Sequence, residues 1–377
     1  MPEAIGRAGQ AERVSTLELF FDLVFVFTIT QLTAVLSDDP TPRGLLRVVL
    51  MLGVIFWMYG GYAWLTNAVA PDRAARRLVL LSGMAGYLVL ALTIPQAFSG
   101  DDLAFGLAYL VVVSIHAGLY SRTSEAGTIR SLVRLAPFNL ASALLVLGAV
   151  VAGGTTGYLL WAAAFALEWV TPLVTGIGGF RVAPAHFVER HGLLVIVALG
   201  ESIVAIGIGA AGLPVDPALV SVAVLGLLLA ACLWWAYFGD DDTRAEEALA
   251  AVPEDRRAAV AVRAFGYWHL PILLGIIALA AGLKHAIAHA FDPLDLAHAL
   301  MLAGGVAAFL AGDILFRRTL RIGPARHRAV AAALALATVP VGLATSAVFQ
   351  LSVLGVVLGG SLAAESAATN RSCGRPG

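Results

Sequence analysis

Residues 17–36 read LELFFDLVFVFTITQLTAVL. A run of about twenty mainly apolar residues rises roughly 30 Å as a helix, enough to cross a bilayer. This one nevertheless carries Glu18 and Asp22 near its start, and Thr28, Thr30 and Gln31 further along. Glu18 and Asp22 are four residues apart and so share a helix face. A carboxylate inside the hydrocarbon costs on the order of 3 kcal/mol on insertion scales. A plain anchor has no use for it, and the helix is therefore the first candidate for a functional one.

The whole chain supports that reading. Its 377 residues are 59% hydrophobic and 13% charged, with a mean hydropathy of +0.87. A soluble domain has about 45–50% apolar and about 25% charged residues, so an integral membrane protein is expected and the lipid bilayer is its first partner. The net charge of −1 gives no reason to invoke nucleic acid. Cys232 falls in an apolar run and Cys373 in the tail, which argues against a disulfide framework. The opening MPEAIGRAGQAERVS lacks the apolar core of a signal peptide, leaving the first span as the targeting element.

Twelve spans are expected, near 17–36, 45–66, 77–97, 102–120, 131–152, 157–178, 192–211, 217–238, 264–283, 295–316, 326–343 and 346–365. Eleven is the competing count, because GLATSAVFQ between the last two offers little turn signal. Basic residues decide between them. With twelve spans, 21 of the 24 fall on one side, and Arg43, Arg47 and Lys284 fall on the other. The positive-inside bias then places both termini in the cytoplasm and requires an even number. Lys284 is the only lysine, and with so much Ala the composition suggests a GC-rich bacterial genome.

The fold class expected is all-α: a polytopic transmembrane helical bundle of about 12 spans arranged as two parallel six-helix repeats, residues 1–179 and 180–377. The repeat rests on matches in common order. Trp57, Tyr59 and Tyr62 stand against Trp234, Trp235 and Tyr237; Arg76 and Arg77 against Arg256 and Arg257; Gly86-Tyr87 against Gly266-Tyr267; and LYSRT against LFRRT. The longest connection, 239–262, is acidic and Ala-rich, read either as an interaction segment or, more simply, as a solvated helical linker.

Intramembrane carboxylates carry the chemistry. Ionisable groups in a bilayer face the bundle interior, pair with one another and mark ion or proton paths. For Asp22 and Glu201 this functional reading is favoured; for Glu168 it balances a structural one; for Glu18, Asp313 and Glu365, near the span ends, the structural reading is favoured. If Glu18 and Asp22 face one another, their repulsion leaves one of them able to bind and release a proton. Glu189 and Arg190, in HFVERHG before the seventh span, form an expected cytoplasmic mouth where both can pair with acids of the first span; an interfacial salt-bridged collar is an equally weighted reading. His285 and His289 are one helical turn apart but lie in a short loop with no fourth ligand, so no metal is expected. Gly207–Gly212 matches a dinucleotide fingerprint by letters alone, without a preceding strand. No nucleophile elbow, P-loop or HExxH appears, so neither a cofactor nor an enzyme is expected.

Three stretches, LELFFDLVFVFTITQL, FWMYGGYAWLTN and RHGLLVIVALGES, closely resemble the bacterial low temperature requirement protein A family, and the likeness runs over nearly the whole chain. It implies a multispanning inner-membrane protein and marks Glu18, Asp22, Glu189 and Glu201 as signature positions without giving them roles. FFDLVFVFTITQL is also similar to the first helix of the endosomal and lysosomal two-repeat potassium channels, through Phe21 and Asp22; the Phe-Ser pair of that motif is Phe20-Phe21 here, and the seventh span lacks the motif. The function expected is a transporter or channel for a small solute or cation. Asp22 and Glu201 would be its proton or cation sites, Thr28, Thr30 and Gln31 coordinating groups, and Phe21, Phe25 and Phe27 constrictions. The alternative is a non-transporting structural or regulatory membrane protein acting through the acidic connection. Substrate and oligomeric state are not legible.

Overall fold

A segment inside hydrocarbon must satisfy its backbone hydrogen bonds internally, so each apolar run is free to become a helix and little else. The computed structural model describes residues 14–68, 74–100, 103–120, 126–178 and 180–373, and they contain no strand. Arg7, Arg13, Arg73, Arg122 and Arg375 of the charge pattern lie outside the described residues.

Every expected span has its helix. They are α1 Thr16–Asp38, α2 Pro42–Ala68, α3 Ala74–Thr93, α4 Ala104–Tyr120, α5 Ala126–Ala152, α6 Gly154–Thr175, α7 Pro184–Gly209 and α8 Pro217–Phe238. The acidic connection is itself helical, as α9 Asp241–Ala251 and α10 Glu254–Ala261. A π-helical turn, Val262–Tyr267, leads into α11 His269–Ala288. Then come α12 Leu296–Leu320, α13 Arg326–Ala337, α14 Val339–Ala344 and α15 Ala347–Cys373. Among the described residues, eleven stretches are long and apolar enough to cross a membrane, α8 joining α9, α10 joining α11, and α13 and α14 counting as one. The twelfth, α4, has 17 residues, and its length of roughly 25 Å falls short of a full hydrocarbon thickness. The doubtful break before the last span is real. Thr345 and Ser346 separate α14 from α15.

Local chemistry sets the ends. Ser15 and Glu18 make a capping box on α1: the Ser15 backbone N–H donates to Glu18 Oε2 at 2.8 Å and the Glu18 N–H to Ser15 Oγ at 3.4 Å. Asp216 caps α8 by accepting from the Leu219 N–H at 2.8 Å, with Pro217 at the first helical position. The turn from α5 to α6 passes through Gly153 and Gly154 at φ 56° and 50°, a region glycine enters without steric cost.

The chain forms two compact units. One gathers Met1–Val35, Leu45–Leu194 and Glu246–Tyr267; the other gathers Leu36–Gly44, Val195–Ala245 and Trp268–Gly377. The first is centred on aromatic packing. The Phe21 ring lies 5.3 Å from Tyr62 and 5.2 Å from Tyr87, all three buried. The second is centred on α11 against α12. Gly275 and Gly282 on α11, and Gly305 and Gly312 on α12, are seven residues apart and form a stripe on each helix. A Cβ at Gly305 would stand 2.6 Å from the Leu279 nitrogen and 2.8 Å from the Gly275 oxygen, both backbone atoms. Gly305→Ala should therefore lower stability by about 1–3 kcal/mol. Gly304→Ala, where nothing lies within 4 Å, should leave the thermal midpoint of the detergent-purified protein unchanged. Equal midpoints for the two variants would refute this close packing.

Candidate functional site

The buried face of α1 runs Glu18, Phe21, Asp22, Phe25, Thr28, Ile29, Leu32, Thr33 and Leu36, while Leu19, Phe20 and Leu23 are exposed. This is the 3.6-residue period of one helix face. Its two acids meet the start of α7. Arg190 is 1% exposed, with Nη1 3.4 Å from Glu18 Oε1 and Nη2 3.0 Å from Asp22 Oδ1. His186, one turn earlier on α7, places Nε2 3.1 Å from Glu18 Oε1. Tyr59 of α2 donates to Asp22 Oδ1 at 2.7 Å. The Arg190 guanidinium also sits 5.7 Å from the ring centres of both Phe21 and Tyr59, a cation–π arrangement. Glu18 and Asp22 do not simply oppose each other, because a forked guanidinium bridges them. Arg190 is buried rather than at an open mouth, and only Glu189 is exposed there, accepting from the Val14 N–H at 3.2 Å.

The charges in this network do not cancel. Glu18 and Asp22 carry two negative charges and Arg190 one positive, so a neutral His186 leaves one negative charge in excess. One proton, on His186 or on either acid, brings the sum to zero. Buried charge is tolerated only when paired, so the network suits a single exchangeable proton.

The other expected residues lie elsewhere. Glu168 of α6 is buried and accepts from Tyr109 at 2.5 Å and Ser142 at 2.7 Å. Thr30 and Gln31 are half-buried on α1, whereas Thr28 and Thr33 are fully buried. Glu201 is buried on α7 within the second unit, whereas Asp22 belongs to the first. His186 and Tyr59 were not legible as partners. The available signals were the helical spacing of His186 from Arg190 and the S-x-x-E capping box that fixes the rotation of Glu18.

The second unit holds a separate cluster. Arg317 of α12 lies 3.1 Å from Asp241 and 2.6 Å from Glu365. Arg328 of α13 lies 3.2 Å from both Asp241 and Glu365 and is also paired with Asp313. Asp241, near the start of the acidic connection, is thus buried and doubly paired rather than solvated, although Asp240 before it is exposed.

A cavity of about 90 Å³ opens on the opposite side of α2 from Tyr59. Trp57, Gly60, Gly61 and Trp64 line it from α2, with Trp169 and Asn139 facing them. Trp57 Nε1 reaches Asn139 Oδ1 at 3.4 Å.

An uncharacterized protein of Rhizobium meliloti (strain 1021) is 30% identical over 328 residues, covering 84% of this chain and 80% of that one. No solved structure matches. The family model described as bacterial low temperature requirement A protein (LtrA) matches residues 13–363. With nearly the whole chain covered, this protein belongs to the LtrA family.

Proposed function

We propose that this protein is a transporter or channel for a small solute or ion, and that the network of Glu18, Asp22, Arg190 and His186 is its proton site. The observation that carries the proposal is the uncompensated charge: four buried groups that balance only when one proton is held. Intramembrane ionisable groups with this property mark proton paths more often than they serve as anchors. The aromatic cavity on the other face of α2 is the natural place for a solute, since aromatic lining with a few polar groups is the usual make-up of small-molecule sites. A single helix then separates proton network and solute. The arginine distribution supports an inner-membrane protein with both termini cytoplasmic, and the ordered sequence matches support two parallel six-helix repeats.

Flux in proteoliposomes, followed with proton- and potassium-sensitive dyes, tests the proposal. Wild type should carry flux, and Asp22→Asn should reduce it to that of empty liposomes. The variant should still fold, because it leaves Glu18 and Arg190 as a balanced pair. A folded Asp22→Asn protein with unchanged flux would remove the network from the path. Absence of flux for protons, potassium and a panel of small solutes in wild type would remove the transport reading.

A further inference from the structure

Glu168 lies deep in α6 and is 1% exposed. Tyr109 of α4 and Ser142 of α5 both donate to its Oε1, and its Oε2 has no hydrogen-bond partner among the described residues. The titratable groups that face it are Tyr109 and, from α3, Tyr87; α5 contributes only the Ser142 hydroxyl, and no described arginine, lysine or histidine is among its partners. A carboxylate buried without a counter-charge is far too costly to persist. The site must therefore hold one positive charge, as a proton on the carboxyl or as a cation in its place.

A second orphan stands nearby. The hydroxyl of Tyr87 is buried, has no hydrogen-bond partner among the described residues, and lies within electrostatic reach of Glu168 and Tyr109. Few buried polar atoms in proteins stay unsatisfied. Two such oxygens within electrostatic reach of one another point to a guest that oxygen atoms bind. The donors gathered there are one carboxylate, three hydroxyls and the Val54 carbonyl, which lies 3.3 Å from Tyr109 Oη. Hard cations take oxygen ligands, and divalent ones are held by several carboxylates or by water. A single carboxylate matches a single charge.

We propose that Glu168, Tyr87, Tyr109 and Ser142 form a site for a dehydrated alkali cation that exchanges with a proton. When the cation enters, the Glu168 O–H bond breaks, the proton leaves to water, and cation–oxygen contacts take its place. The site is neutral in both states. This deepens the transport reading above by naming its coupling ion, but its test needs no transport.

The test is thermal unfolding of the purified full-length protein in lithium, sodium or potassium chloride, against N-methylglucamine chloride at equal ionic strength. At alkaline pH the midpoint should rise with an alkali cation, and the rise should shrink as pH falls and protons hold the site. Glu168→Gln keeps an acceptor for Tyr109 and Ser142 but no charge, and should lose the response. Tyr87→Phe removes a hydroxyl that bonds nothing among the described residues. It should keep the midpoint in N-methylglucamine and weaken apparent cation affinity about tenfold, the size of one hydrogen-bonding group lost from a charged partner. Identical midpoints in all salts, or a cation response that survives in Glu168→Gln, would overturn the site. If Glu168→Gln does not fold, an unchanged response in Tyr87→Phe overturns it instead. Asp22→Asn should retain the response, so failure here and failure of the flux experiment are read separately.

Discussion

Arg190→Met should lower the stability of the folded protein by about 3–5 kcal/mol, the range for removing one partner of a buried ion pair. The loss comes from what is left behind. Two carboxylates, each 1–2% exposed, would face one another with Ser15, His186 and Tyr59 as partners but no arginine. Arg190→Lys should be intermediate, because an ammonium cannot fork to Glu18 and Asp22 as the guanidinium does. Adding Glu18→Gln and Asp22→Asn to Arg190→Met should recover most of the loss, since the stranded charges are then gone. Thermal midpoints in detergent measure all three. An Arg190→Met protein as stable as wild type would show that the network is not closed to water.

Arg328→Met should cost a similar amount in the second unit. Arg328 reaches three carboxylates, and Asp313 among them is 0% exposed. Glu365 and Asp241 keep Arg317 when Arg328 is lost, but Asp313 has no other ion pair among the described residues. The double variant Asp313→Asn/Arg328→Met should therefore regain more than half of the loss, and Glu365→Gln/Arg328→Met clearly less. A mutant cycle on the midpoints isolates the coupling. Equal rescue by the two second substitutions would contradict this ranking.

Much of the fold was legible because membrane helices announce themselves by length and apolarity. Each expected span has its helix, and the break near Thr345, for which local turn signal was weakest, is present. The first acid pair was legible for a related reason: Glu18 and Asp22 stand one turn apart, so any rotation that buries one buries the other. Partners were harder. Tyr59 and His186 are 37 and 168 residues from the acids they bond, and a helix that is apolar all round gives no reading of its rotation. Asp241 was hidden for the opposite reason. It is the second of three aspartates in a run that looks solvated throughout, yet it turns inward where α9 begins and meets two arginines, while Asp240 before it stays exposed. The orphaned oxygens of Tyr87 and Glu168 have no signature in sequence, because they are defined by what does not reach them.

The glycine stripes between α11 and α12 bear on temperature. A water-soluble core is held largely by expelling water from apolar surface, a drive that fades on cooling. Helices already immersed in hydrocarbon have no such drive between them, and they associate through close van der Waals contact that small residues permit. At Gly275 and Gly305 the backbones approach until a single methyl group would not fit. Chilling, which loosens the clasp of a soluble domain, takes nothing from that contact.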